Sequence, residues 1–316
     1  MINRELIRIK LVQILYSYQQ RFNHNADAAE KELLLSLDKA YDLYNYQLLL
    51  MVEVGRMALR TLEMRQQRSN RLGEDKTWSR KFVDNRFMLQ LESNKQLQTY
   101  CEEQALSWAD HEEFVRALYA KIEESDYYQK YMQSETSSYE EDREMWRLIY
   151  RHFICNNEVL YDLLEEENLY WNDDKTIIDT FVLKTINRFT PESDSTQPLM
   201  PQYRSKSDLD YATRLLHRAM EAKDYFLGLV GANTRKWELG RVALMDRIIL
   251  QAGLAEITTF PDIPLSVSIN EYVEIAKAYS TPKSGKYING TLDTIAKKML
   301  EDGTLQKNDK PMAEEP

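Results

Sequence analysis

The chain has 316 residues with 41 Lys and Arg against 51 Asp and Glu, a formal charge of −10; this length suits roughly two domains, and this charge argues against a protein that coats nucleic acid through general basicity. Only 9 glycines leave little for βα turns or phosphate-cradling loops, which disfavours a Gly-rich nucleotide-binding enzyme. Cys101 and Cys155 make no disulfide framework, the N-terminus lacks a signal-peptide core, and no apolar run reaches about 18 residues, so a reduced, cytoplasmic protein without a membrane span is expected.

Residues 5–21 read as the first helix. Ile7, Leu11, Ile14, Leu15 and Tyr18 recur at helical spacing as a core-facing stripe, with Arg8 and Lys10 flanking it and Ile9, Gln13 and Tyr16 roughly opposite. A second partly apolar face asks for cover, either by the rest of the chain or by a partner. From about 30 to 67 a Pro-free pattern with Leu33, Leu37, Tyr41, Tyr44, Leu48 and Met51 predicts a long core helix. Arg60, Arg65, Arg68, Arg71, Lys76, Arg80, Lys81 and Arg86 then stand against Glu63, Glu74, Asp75 and Asp84. That stretch is either a solvated face or an accessory phosphate-contacting surface. Acids dominate residues 101–145 and should repel nucleic acid, while Trp108, Phe114, Leu118 and Ile122 supply anchors at helical spacing. Helices are expected to about residue 189.

A break follows at 190–207, where Pro191, Pro198 and Pro201 interrupt the periodicity, and the main boundary is placed there as a linker or surface loop. Beyond it four helices are expected near 208–230, 234–258, 268–279 and 285–300, then a flexible tail over 301–316. Ser268 and Glu271 fit a capping box opening the third of these. Thr281-Pro282 closes it, and a tight turn with Lys283, Gly285 and Lys286 leads to a stripe of Ile288, Leu292, Ile295 and Met299. Strand signals are nearly absent, so the expected fold class is all-α.

A catalytic constellation is not found. His24, His111, His152 and His217 are far apart, His152 with Cys155 is a lone pair of ligand types, and there is no nucleophile elbow, P-loop or dinucleotide fingerprint. Abundant carboxylates offer many accidental pairs and no specific one. The expectation is a non-enzyme with no catalytic residues, no metal and no cofactor.

Three segments resemble the NusB transcription antitermination family: Arg4, Arg8 and Val12-Gln13-Ile14-Leu15-Tyr16-Ser17; Trp237-Glu238-Leu239-Gly240-Arg241-Val242 through Asp246-Arg247-Ile248-Ile249-Leu250 to Glu256; and, most specifically, Asp262-Ile263-Pro264, Ile269 to Lys277, and Ser284-Gly285-Lys286-Tyr287-Ile288-Asn289-Gly290-Thr291-Leu292-Asp293. The resemblance covers residues 1–20 and about 205–300. It implies an all-α NusB-like helical bundle, with the first helix over 1–20, a large helical insertion of unknown role over 21–204, and the remaining RNA-binding part over 205–300.

The resemblance further implies an antitermination adaptor that binds the boxA element of RNA together with the ribosomal protein NusE. The complex acts on elongating RNA polymerase with other Nus factors, notably at ribosomal RNA operons. By position it implies RNA contacts at Arg4, Arg8, Lys283, Ser284, Lys286, Tyr287 and Asn289, and partner contacts at Tyr16 and Asp246. The residues agree: a helix start beside Lys283, Ser284 and Lys286 offers N–H groups and cations to phosphate, Tyr287 suits base stacking, and Ile9 with Tyr16 suits a protein partner. The arginine run of the family is thinned to Arg4, Arg8 and Lys10, and Lys283 stands where many relatives carry an acid. Both chain ends are expected to fold together into one cationic surface. An RNA-modifying enzyme, since some ribosomal RNA cytosine methyltransferases carry a NusB-like domain, would need a Gly-rich cofactor loop and a catalytic cysteine after that domain, and neither is present. A protein-only helical scaffold is the third reading.

Overall fold

Asn3 starts the first helix by accepting the Leu6 N–H at 2.9 Å, the usual role of a short polar side chain at a helix entry. In the computed structural model, which describes residues 1–21, 25–74, 76–135, 138–233 and 242–308, helix α1 spans Arg4–Gln20. Asn25 repeats the device on Ala28 at 3.1 Å and opens α2, Ala26–Leu72. Shorter helices follow: α3 Arg86–Glu92, α4 Lys95–Glu103, α5 Glu112–Glu124, α6 Asp126–Gln133, α7 Tyr139–Ile149, α8 Glu158–Glu167 and α9 Lys175–Arg188. Asn85, Asn94, Ser125, Ser138 and Asn157 cap the starts of α3, α4, α6, α7 and α8. After the break come α10 Lys206–Glu221, α11 Lys223–Asn233, α12 Leu244–Thr259, α13 Leu265–Tyr279 and α14 Ser284–Glu301. The described residues contain no strand, only an isolated bridge between Ile2 and Tyr203, so the chain is all-α as the missing strand signals predict. None of the described helices is long and apolar enough to cross a membrane.

The chain divides into two compact units. One comprises Met1 and residues 38–202 and is built around aromatic rings: Tyr46 stacks on Trp108 at 4.1 Å, and Phe82 lies 5.4 Å from Trp146 and 5.0 Å from Tyr128. Two indole N–H groups find carbonyls, Trp108 donating to Tyr46 at 3.0 Å and Trp171 to Lys39 at 2.7 Å, as buried amphipathic rings usually do, whereas the Trp146 indole N–H is buried without a hydrogen-bond partner among the described residues. The segment read as a linker or surface loop is irregular and mostly exposed, and it is bonded onto this unit. Gln90 donates to the Thr190 and Ser193 carbonyls, Asn94 donates to the Gln197 carbonyl at 2.8 Å, and Leu199 is buried. Burial pushes the thiols of Cys101 and Cys155 up to about 12, so neither supplies a thiolate near neutral pH.

The other unit comprises residues 2–37 and 203–316, so it takes in the first turns of α2 beyond the boundary placed at residue 20. Helix α12 is its axis, buried at every residue from Ile248 to Ile257. Gly253 allows that: a Cβ there would meet Leu292 Cδ1 at 3.1 Å and Tyr272 Cδ2 at 3.3 Å. Buried Gln251 accepts from Gln19 at 3.1 Å and donates to the Ala219 carbonyl at 2.7 Å, tying α12 to α1 and α10.

Four expectations for this unit need correction. The stretch 208–230 is two helices, α10 and α11. Helix α12 begins at Leu244, while the motif residues Trp237 to Arg241, like His24, lie outside the described residues. Helix α13 begins at Leu265 after Pro264, so Ser268 and Glu271 sit inside it and form no capping box. The start of the expected tail is tied down: Leu305 is buried, its N–H bonds the Met299 carbonyl at 2.8 Å, and Lys307 donates to the Phe260 and Ile263 carbonyls at 2.9 Å.

Candidate nucleic-acid interface

The turn between α13 and α14 is held by three hydroxyls and a carboxylate. Thr281 donates its N–H to Ser284 Oγ at 3.2 Å, and Ser284 returns its own N–H to the Thr281 carbonyl at 2.9 Å. Ser284 Oγ reaches Ser280 Oγ at 3.1 Å, and Ser280 donates onward to Asp246 Oδ1 at 2.6 Å, in the first turn of α12. Asp246 is buried. Gly285 lets the two helices close, since a Cβ would meet Lys277 Cγ at 3.1 Å.

This clamp shapes a shallow groove of about 330 Å³ lined by Val242, Ala243, Asp246, Thr281, Lys283, Ser284 and Tyr287. Lys283 and Lys286 are exposed beside it, Tyr287 is half-buried in its wall, and Asn289 is exposed one turn further along α14. One cation, Lys283, an aromatic ring and the first turn of a long helix therefore meet at one opening, with Lys286 exposed nearby on the same turn, a combination suited to phosphate and base together. Ser284 and Asp246 have different work from that expected. Their side chains are buried and bonded within the turn, so they position the groove rather than present themselves to a ligand.

Arg8 is the larger correction. It is 3% exposed, and its guanidinium makes two bonds to Glu256, Nε to Oε2 at 2.7 Å and Nη2 to Oε1 at 3.0 Å, and a third to Glu271 at 3.0 Å. Tyr211, Ser268 and Tyr272 also donate to Glu256, so one carboxylate joins α1, α10, α12 and α13. Burial opposes the charge on Arg8, but Tyr211 and Glu256 hold its pKa above the ordinary value. Burial likewise pushes Glu256 up, and the bonds and charge of Arg8 pull it below its usual range. A guanidinium so engaged is unavailable to RNA.

The other α1 residues expected at the interface are more open. Arg4 is half-buried with its guanidinium 5.1 Å from the centre of the Tyr211 ring. Ile9 is half-buried and Tyr16 is 38% exposed. Chain ends do share one unit, but the single cationic surface does not form. Arg8 is neutralised at the Glu256 end of α12, and Lys283 lies at the Asp246 end, about 15 Å away by helical rise. Sequence reasoning misses Glu256 and Tyr211 as the keystone, although Glu256 closes the quoted motif and its apolar surroundings are visible there. An acid in the apolar run Leu250 to Ile257, broken otherwise only by Gln251, is the signal, because a buried charge needs a partner.

Comparison with known proteins places these residues in context. The model of the NusB family matches residues 179–297, which includes the whole groove and Glu256 but not α1. The transcription antitermination protein NusB of Salinibacter ruber is 32% identical over 108 residues, covering 34% of this chain and 68% of that protein. The protein of the same name from Finegoldia magna is 38% identical over 94 residues, covering 30% and 69%. A solved structure of T. maritima NusB is 28% identical with a TM-score of 0.29, covering 49% of this chain and 90% of that one.

Proposed function

The chain belongs to the NusB family, and on that premise we propose that it is a transcription antitermination adaptor binding boxA-type single-stranded RNA together with the ribosomal protein NusE. In this reading it works in the cytoplasm on elongating RNA polymerase with other Nus factors, at ribosomal RNA operons. The observation that supports it most is the groove between the starts of α12 and α14, where exposed Lys283 and Lys286 stand beside Tyr287. Lysines steer and hold the phosphates, Tyr287 stacks on a base, and Asn289 supplies an amide to a base edge or sugar. Arg4 adds a cation at the far end of α12. Ile9 and Tyr16, on the α1 face left open, are the anchors for NusE. Arg8, Ser284 and Asp246 act through position alone.

Titration of labelled boxA RNA at several salt concentrations, with and without NusE, tests this. Lys283→Glu with Lys286→Glu is expected to weaken RNA binding at least about tenfold and to flatten its salt dependence, with thermal stability unchanged. Full affinity in that variant rejects the groove. Absence of RNA binding by the native chain rejects the adaptor and favours a protein-only scaffold.

A further inference from the structure

The basic stretch after residue 60 is not absorbed by the groove, since it belongs to the other unit. In that unit half of the twelve arginines pair with acids, among them Arg56 with Glu53 and Glu92 at 2.7 Å, Arg65 with Glu123, Arg80 with Asp84 at 2.9 Å and Arg116 with Glu112 at 3.0 Å. Arg60, Arg68 and Arg71, like Arg151 and Arg188, are not so paired, and these three share one helix. All are exposed, and no carboxylate lies within ion-pair distance of them among the described residues. At about 100° per residue, Arg60, Met64, Gln67 and Arg71 fall within about 60° of one another on α2, with Arg68 about 60° beyond Arg71. The three guanidinium groups thus line an elongated exposed stripe, about 16 Å long by helical rise. Glu63 stands at its edge, and at the Arg60 end Glu112 and Glu123, each paired with an arginine, line a cavity with Arg60, Met64 and Gln67. Past the helix end Lys76 is exposed with its Nζ 4.4 Å from the Trp78 ring, so that cation too remains at the surface.

We propose that this exposed face of α2 is a second RNA-binding surface, gripping the phosphate backbone of a single strand through Arg60, Arg68 and Arg71. Planar forks with unspent donors match phosphate oxygens bidentately, and an elongated row suits a polyanion. A helical protein partner would need apolar anchors every third or fourth residue. The stripe offers only Met64 and, two turns on, Leu72, 59% and 62% exposed. That the nucleic acid is RNA rests on the function proposed above; the site does not.

The test titrates the full-length chain with a labelled single-stranded RNA of mixed sequence over a range of salt. Replacing Arg60, Arg68 and Arg71 together by alanine, an exposed change expected to leave folding intact, should lower the salt slope by about 2, since each single-strand contact contributes about 0.7. Binding at low salt should fall at least about tenfold, and a triple Arg→Lys variant should keep the slope. An unchanged slope and affinity in the alanine variant overturns the proposal. So does a stripe that prefers polyglutamate to the RNA, which would assign it to an acidic protein. Lys283→Glu with Lys286→Glu, measured alongside, keeps the two readings apart: loss only there retires the stripe, and loss only in the arginine variant retires the groove.

Discussion

Residues 38–202 carry 20 Lys and Arg against 31 Asp and Glu, a charge of −11, whereas the unit built from the two ends carries 21 against 20, a charge of +1. The near-neutral unit puts its decisive charges inside. Arg8 and Glu256 are both buried, and four helices meet on them. The acidic unit keeps most of its pairs outside, as neighbours along one helix such as Arg116 with Glu112 and Arg147 with Glu144. Exposed pairs of that kind contribute little to stability, so charge there selects what approaches rather than how the chain packs. Cores differ in the same sense: stacked rings in the acidic unit, and in the other a buried aliphatic helix made thin by Gly253.

Glu256→Gln would break the first half of that contrast and should have the largest effect. It keeps the shape but leaves Arg8 with Glu271 alone and deprives Tyr211, Ser268 and Tyr272 of a charged acceptor, a loss on the scale of about 3–5 kcal/mol for an uncompensated buried charge. Hydrogen exchange should show lost protection through α1, α10, α12 and α13, with the aromatic core spared. Equal loss in both cores would mean that the buried pair is no keystone of one unit. The sign of the acid response follows from the same group. Glu256 is held below its usual range, so its contribution stands at neutral pH and disappears as acid protonates it. Glu271, pushed up by burial, protonates at higher pH and acts in the opposite sense.

Matched glycine substitutions sharpen the contrast between the cores. A methyl at Gly253 meets Leu292 and Tyr272, both fully buried, so Gly253→Ala should cost about 1–3 kcal/mol. At Gly55 a methyl also comes within 3.1 Å of a side chain, but that chain is Met88, whose unbranched thioether can shift. Gly55→Ala should change stability by no more than about 0.5 kcal/mol, since helix propensity favours alanine. Thermal denaturation of the two variants decides it, and equal losses would show that side-chain flexibility is not what separates them.

Much of this is legible in the sequence, for physical reasons that also mark where legibility stops. Helical periodicity locates α1, α2 and α14 within a few residues because their stripes are long. It fails where burial is complete: α12 is buried all round from Ile248 to Ile257, and Ser268-x-x-Glu271 imitates a helix start while both side chains point at partners distant in sequence. Arg8 misleads for the same reason. A cation flanking an apolar stripe is ordinarily solvated, and only tertiary packing brings Glu256 across to it. The groove is half visible, since Lys283, Lys286 and Tyr287 are nearly contiguous. The Ser280 to Asp246 bond that shapes it spans 34 residues, and local spacing carries no trace of it.

Gly290 gives the effect that sets stability against binding. It sits exposed in the interior of α14, and a methyl added there would have nothing within 4 Å, so unlike Gly253 and Gly285 it has no packing reason to lack a side chain. Alanine there should stabilise the helix by about 1 kcal/mol. Lys286 lies one turn before it on the same face, so a strand held by Lys286 passes over Gly290, and a bare backbone admits a closer approach than a methyl allows. Gly290→Ala is therefore expected to raise the melting temperature while weakening boxA RNA binding severalfold, opposite signs from one methyl group. A variant that is more stable and binds equally well would show that the RNA does not reach this turn of α14 and would shorten the proposed contact to Lys283, Lys286 and Tyr287.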